Sequence, residues 1–364
     1  MSPRWLLLVL LLLTTTFGRA EGFDDNAAEQ IKRLQRSPTE VANQLSRRYG
    51  RALKQVQYIP AVAVIGRLRL GELTGDASHR ADIDKLIAPF REGTQKAIGD
   101  KPSGGDLAGH LVFGELALRT KDDKIISLTK TAADLAFDKQ GQPREAAPFH
   151  NEMSDAVFMS CPLLTQVGRL TGEVKYHDMA VRHLTFMQKL CLRKDGIYRH
   201  SPLDEAAWGR GNGFPALGLA WSLGDLPKEH PGRAEVLAAF QKHMTALKPH
   251  QDSTGMWHQV IDHPESYPEL TATCMITFSM SRGVREGWLD RATFEPVIRQ
   301  AWPAISARIG EDGSVAGVCE GTGKQPSLQA YFERKAINGF DDRGGAMALL
   351  AATEMVVFEK AFAE

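Results

Sequence analysis

Four polar turns, DKQGQPR, RKDGIYRH, DSTGMWHQV and GEDGSVAGV, place glycines at 141, 196, 255 and 313, spaced by 55, 59 and 58 residues. So regular a period marks a chain built from repeated supersecondary units, each with room for two helices, and over this length it implies about six of them. The two helices of a unit carry different patterns. Tyr176, Met179, Ala180, His183, Leu184, Met187 and Leu190 fall on one helical face, as do Phe294, Val297, Ile298, Ala301 and Ile305. Leu237, Phe240, Gln241, Met244 and Leu247 repeat the pattern less cleanly. Such spacing predicts helices with one wet side. AVFMSCPLLTQVG, FPALGLAWSLG and ELTATCMITFSMS are apolar or small nearly all round, which predicts helices buried on every side. An alternation of the two kinds calls for an inner ring packed all round and an outer ring with one solvent face. The expected fold is all-α, an (α/α)6 toroid. A solenoid of helical hairpins shares the alternation, and the count of six favours closure.

The chain opens with Arg4, an apolar run from Trp5 to Leu13, and small and polar residues to Ala20. The run is too short to span a bilayer and reads as a signal peptide over residues 1–20, leaving residues 21–364 as one exported barrel domain, in periplasm or medium. Lys plus Arg equals Asp plus Glu at 44 each, which argues against nucleic acid or an anionic membrane as the main partner. Of the four cysteines, Cys161, Cys191, Cys274 and Cys319, three read as small buried hydrophobes on helices, and their pairing is open.

Connections from a buried helix to the next amphipathic one are short, as in RLTGEVKY and SLGDLPKEHPGR. The returns are long: 139–154, 194–213, 252–269 and 311 to about 343. In a ring all connections of one sense emerge at one end, so one mouth carries the elaborate surface. Asp155 closes the first long loop. The second holds His200, Asp204, Trp208, Arg210 and Asn212, the third Trp257, His258, Tyr267 and Glu269, and the fourth Thr322, Tyr331 and Arg334. Aromatic faces with hydrogen-bonding and cationic groups suit a sugar ring, and arginine suits a carboxylate on it.

Each candidate also has a structural reading. Asp155 is a natural N-cap for the helix AVFMSCPLL. His200, Trp208, Trp257 and Tyr331 can be packing, and GRGNG a helix-entry turn that needs positive φ, with Asn212 as cap. No HExxH spacing supports a catalytic metal and no GxSxG elbow a serine nucleophile, and GTGK lacks the context of a phosphate loop. No cofactor is expected.

The runs SDAVFMSCPLLTQVGRLTGEVKYHDMA, GIYRHSPLDEAAWGRGNGF, QDSTGMWHQVIDHPESYPELTATCM and VCEGTG with a following tyrosine, in order over roughly residues 100 to 355, resemble glycoside hydrolase family 105. These are unsaturated rhamnogalacturonyl hydrolases, related to the unsaturated glucuronyl hydrolases of family 88. The resemblance implies an (α/α)6 barrel that removes a Δ4,5-unsaturated uronic acid from the non-reducing end of lyase-generated oligosaccharides by hydrating the vinyl ether. It implies Asp155 as general acid and base and Asp106, in GGDLAGHLVFGEL, as a carboxylate that orients substrate. His200, Trp208, Arg210 and Asn212 match the loop that holds the sugar, and Met159 follows Asp155 by one helical turn. Met153 and Phe214 stand where the family often has tryptophan, so Trp208 and Trp257 are the expected stacking surfaces. The alternatives are a non-catalytic carbohydrate-binding ring and another (α/α)6 carbohydrate enzyme that acts on saturated sugars.

Overall fold

The structure, a computed structural model, describes residues 27–149 and 152–363. The expected leader, residues 1–20, lies outside the described residues. In chain order, α1 (Ala27–Leu34) and α2 (Pro38–Ser46) are followed by α3 (Tyr58–Thr74), and α4 (Ala77–Arg91) by the pair α5 (Gly104–Gly109) and α6 (Leu111–Thr120). Next come α7 (Asp123–Ala133) with α8 (Ala156–Thr171), α9 (Val174–Cys191) with α10 (Gly209–Asp225), and α11 (Arg233–Leu247) with α12 (Leu270–Arg285). The last hairpin runs from α13 (Arg291–Ala307) through β1 (Val315–Cys319), α14 (Leu328–Phe332) and β2 (Ala336–Gly339) to α15 (Asp342–Ala361). Among the described residues these make six hairpins. The inner members α8, α10, α12, α15, α3 and the α5–α6 pair each pack on the next, and α5 and α6 pack back on α8. The contact of α15 with α3 closes the ring and excludes the open solenoid. The N-terminal α2 fills the sixth outer position against α15, and α1 packs on α13. This is the (α/α)6 toroid.

Burial follows the two sequence patterns. Every residue from Ala156 to Gly168 in α8 and from Leu270 to Val284 in α12 is buried. Outer α9 buries Tyr176, Met179, Ala180, His183, Leu184 and Met187 and leaves Leu190 half-buried. In α11 the buried face is Val236, Phe240, His243, Met244 and Leu247, so Gln241 points to solvent. All four cysteines are buried and free.

The four repeat glycines close one local structure four times. In each turn the backbone N–H of the residue three before the glycine donates to the carbonyl of the residue after it, at 2.9, 2.9, 2.9 and 2.8 Å for Asp138, Arg193, Asp252 and Gly310. The glycines have φ of 76°, 91°, 99° and 85°, where a β-carbon is disfavoured. At Gly255 a β-carbon would also lie 2.3 Å from the Gln300 carbonyl oxygen, whereas at Gly141 it would meet nothing within 4 Å.

One expectation is corrected. Helix α10 starts at Gly209, so Arg210 and Asn212 lie in its first turn, and Gly209, Gly211 and Gly213 do not take positive φ. They are small because neighbours touch them: a β-carbon on Gly209 would sit 2.5 Å from the His258 carbonyl oxygen, and one on Gly213 2.6 Å from the Met275 methyl. A short antiparallel β1–β2 ribbon, pairing Val318 with Ile337 and Cys319 with Ala336, accompanies the helices of this all-α fold. Strand β1 is buried at every residue, so it shows none of the alternation that reveals a strand.

The turn geometry predicts unequal costs. Gly141→Ala should destabilise by about 1 kcal/mol, the backbone term alone, and Gly255→Ala by at least about twice that. Urea unfolding of the two variants checks this, and equal losses would contradict it.

Candidate active site

All the inner helices run in one direction, so their N-terminal ends share a mouth. There the long loops deliver Tyr58 at the start of α3, Asp155 before α8, Trp208 and Arg210 at the start of α10, and Arg343 at the start of α15. Helix N-termini carry positive partial charge, which makes this end hospitable to an anion.

Asp155 is buried, 7% exposed, at the N-cap position of α8, yet its side chain makes no capping hydrogen bond. The capping explanation therefore fails. Its approach is rigid: the Ser154 N–H donates to the His200 carbonyl at 2.9 Å, and the Ser154 hydroxyl donates to the Gly211 carbonyl at 2.6 Å. His200 Nε2 lies 3.2 Å from Asp155 Oδ1, close but not aligned as a hydrogen bond, so both atoms stay without one. An unsatisfied buried polar group costs about 1–3 kcal/mol, so such an arrangement calls for an explanation.

His200 is fully buried, and its other nitrogen is fixed. The Gln325 N–H donates to the Tyr331 oxygen at 3.2 Å, and Tyr331 lies 2.8 Å from His200 Nδ1. When the phenol also donates its own hydrogen to Nδ1, the imidazole hydrogen sits on Nε2, facing Asp155. The Trp208 ring packs 4.5 Å from that of His200, and the Arg210 guanidinium lies 4.4 Å over Trp208. Arg210 is itself buried and donates to the Cys319 and Glu320 carbonyls at 2.8 Å each. Glu269, 3.9 Å from Arg210, caps α12 through the Ala272 N–H and holds the Cys319 N–H at 2.9 Å. The second, third and fourth long loops are thereby tied to one another around Arg210.

Other expected ligands are placed elsewhere. Asn212 is fully buried, and both ends of its amide clamp Tyr198, accepting from its N–H at 2.7 Å and donating to its carbonyl at 2.8 Å. Trp257 is fully buried, with its indole N–H on the Leu247 carbonyl at 2.8 Å. Phe214 stacks on Phe158 at 5.7 Å inside the core, and Met159 is buried one turn below Asp155. These four are framework, and Trp257 offers no stacking face. Trp208 is only 1% exposed, so it supports His200 and Arg210 more than it displays a platform. Asp106 is half-buried at the start of α5. Its carboxylate accepts from the Ser103 N–H and hydroxyl at 2.6 and 2.7 Å and from Gln57 Nε2 at 2.5 Å, a capping box tied to the residue before Tyr58.

The reading from sequence missed Tyr58 and Arg343. Tyr58 is half-buried, set edge-on to Phe214 at 5.6 Å, and is an aromatic ring that this mouth leaves partly open. Burial raises its phenol above the ordinary value, while Arg210 and Arg343 pull it down and Asp155 pushes it up, so all three charges reach it. Arg343 donates to Asp341 at 2.7 Å. Both residues occupy the position that Asp155 has, the start of an inner helix, and that shared register was the available signal. Among the described residues no group of three His, Cys, Asp or Glu side chains could hold a metal ion.

Known proteins supply the family. An unsaturated 3S-rhamnoglycuronyl hydrolase of Alteromonas sp. (strain LOR) is 27% identical over 219 residues, 57% of this chain and 51% of that protein. The unsaturated rhamnogalacturonyl hydrolase YesR of Bacillus subtilis (strain 168) is 25% identical over 238 residues, 62% of this chain and 63% of its own length. The chain thus spans about half to two thirds of these curated relatives. A crystal structure of a possible member of the GH105 family from Klebsiella pneumoniae subsp. pneumoniae MGH 78578 superposes with a TM-score of 0.74 at 22% identity, covering 94% of this chain and 96% of that one, and shares the fold. The model of Glycosyl Hydrolase Family 88 matches residues 28–359, from α1 through almost all of α15, and the chain belongs to that family.

Proposed function

We propose that this protein is an exported hydrolase that removes a Δ4,5-unsaturated uronic acid from the non-reducing end of lyase-generated oligosaccharides. The observation that carries this reading is Asp155, a buried carboxylate that caps nothing and lies 3.2 Å from His200 Nε2. The names of the relatives, hydrolases of unsaturated rhamnoglycuronyl and rhamnogalacturonyl substrates, support the substrate class.

In the proposed reaction Asp155 gives its proton to C4 of the vinyl ether, and positive charge develops at C5 and the ring oxygen. Water then adds at C5 as Asp155 takes back a proton, and the resulting hemiketal opens and expels the aglycone alcohol. His200 Nε2–H steadies the carboxylate between the two transfers. The uronate carboxylate is drawn to Arg210, Arg343 and the surrounding helix N-termini, and Tyr58 offers its ring to the sugar. A two-carboxylate glycosidase acting on saturated sugars needs a second free acid, and Asp106 is already engaged by Ser103 and Gln57. That counts against the saturated-substrate reading.

Asp155→Asn should lower kcat by at least about 100-fold on unsaturated disaccharides while leaving KM and the thermal midpoint nearly unchanged, because the side chain caps no helix. Loss of the ultraviolet absorbance of the unsaturated uronate follows the reaction, and full activity in the variant would sink the assignment. Tyr331→Phe frees His200 Nδ1 and should cut kcat about tenfold and shift the pH–rate profile with little change in KM. An unchanged kcat and profile would reduce Tyr331 to packing.

A further inference from the structure

The other end of the ring has a cavity of about 850 Å³, lined by the C-terminal halves of inner helices and by none of the residues around Asp155. That volume suits a ligand of small-molecule size. Seven cationic side chains line it against four carboxylates, and a fifth carboxylate, Glu354, lies buried beneath. Some of these charges are matched. Arg119 pairs with Glu72 and Glu115, and Arg169 meets Asp225 at 2.8 Å. Glu354, by contrast, is shared by three guanidinium groups, Arg69 at 3.4 Å, Arg282 at 2.9 Å and Arg285 at 3.0 Å. Arg285 also meets Glu286 at 2.6 Å, so Glu354 is left mainly to Arg69 and Arg282, with the charge of buried Glu115 acting on both.

Arg69 and Arg282 thus stand side by side over one shared carboxylate. The Arg282 side chain is nine-tenths buried, and its Nε has no hydrogen-bond partner. Both guanidinium groups are backed by the same aromatic pair: Arg69 lies 5.4 Å from the Trp221 ring and 5.5 Å from Phe278, and Arg282 lies 5.9 and 4.4 Å from them. Rings on one side hold the two planes in place and leave them few directions in which to find a partner. Burial first, and then the charge of Arg282, lower Arg69 to about 10 against the opposing pull of Glu115 and Glu354. Cations near helix C-termini complement the helix dipole. That accounts for Arg119, Arg169 and Arg285, but Arg69 stands more than a turn before the end of α3 at Thr74.

We propose that this far mouth is a second binding site, for a small oxyanion-bearing ligand seated between Arg69 and Arg282. Carboxylate, sulfate and phosphate groups share the required chemistry, and each offers the lone pairs that the two guanidinium groups lack. The site does not depend on the reaction proposed at Asp155.

Calorimetry on the full chain tests it, with selenate, inorganic phosphate and galacturonate as probes and chloride at matched ionic strength as reference. At least one oxyanion should bind with a Kd below about 1 mM, equally in the wild type and in Asp155→Asn, and at least about tenfold more weakly in Arg69→Gln. Glu354 keeps Arg282 and Arg285 in that variant, which preserves the fold, and hydrolysis at the opposite mouth should be unaffected. Selenate-soaked crystals of the unaltered protein should show a selenium peak within hydrogen-bond reach of both guanidinium groups. Tighter phosphate than galacturonate binding identifies a phosphoryl or inorganic ligand, and the reverse a sugar acid. Equal affinity in wild type and Arg69→Gln, or no selenium in this cavity, overturns the proposal.

Discussion

A helix that is apolar on every side must be surrounded, and the rest of this structure follows from that demand. Inner helices such as α8 and α12 have no face suited to water, so a row of them would leave its first and last members exposed. Packing α15 on α3 removes the ends. Because each inner helix returns through an outer one, all of them point the same way, and the two mouths are electrically unlike. One collects helix N-termini and favours anions, and the other collects C-termini and favours cations. Asp155, Arg210 and Arg343 stand at the first, and a crowd of arginines at the second.

The Asp155 mouth is held by parts that never meet solvent. Arg210 binds the end of β1, Glu269 holds both α12 and the Cys319 amide, and Tyr331 reaches from the fourth loop to His200. Three loops far apart in sequence are fastened through buried polar contacts, each strong because no water competes for it. The carboxylate left without a hydrogen bond is not alone in this, since His200 Nε2, the Trp208 indole N–H and the Gln259 amide oxygen are buried beside these contacts without a partner.

The fold was legible because burial and period agree. Residues 156–168 and 269–281 read as buried on all sides, and they are. The glycine period stops before the first two hairpins, whose positive-φ glycines Gly50 and Gly93 sit in unrelated turns, so Tyr58 escaped notice. Within the site, type and spacing identified Asp155, His200 and Arg210 as neighbours, but not which way an aromatic ring faces. Trp257 and Phe214 turned out to serve the core because a residue at a helix entrance can point into the lumen or between layers, and only the packed neighbours decide. Asn212 was misread for a related reason: an amide that can hold a sugar hydroxyl holds a backbone N–H and carbonyl equally well.

Helices α8 and α10 touch backbone to backbone beside Asp155. A β-carbon on Gly218 would lie 2.9 Å from Phe158 Cα, and one on Gly211 would lie 3.1 Å from the Ser154 hydroxyl oxygen. The close approach of α10 to the segment that carries Asp155 therefore depends on the absence of a β-carbon at these two positions. Residues on the solvent side of the loops can change in size and retune what the mouth accepts, while these two positions admit almost no drift. Diversification of specificity in such a barrel should be written in its loops, and loss of activity by single substitutions should concentrate in glycines that never meet a substrate.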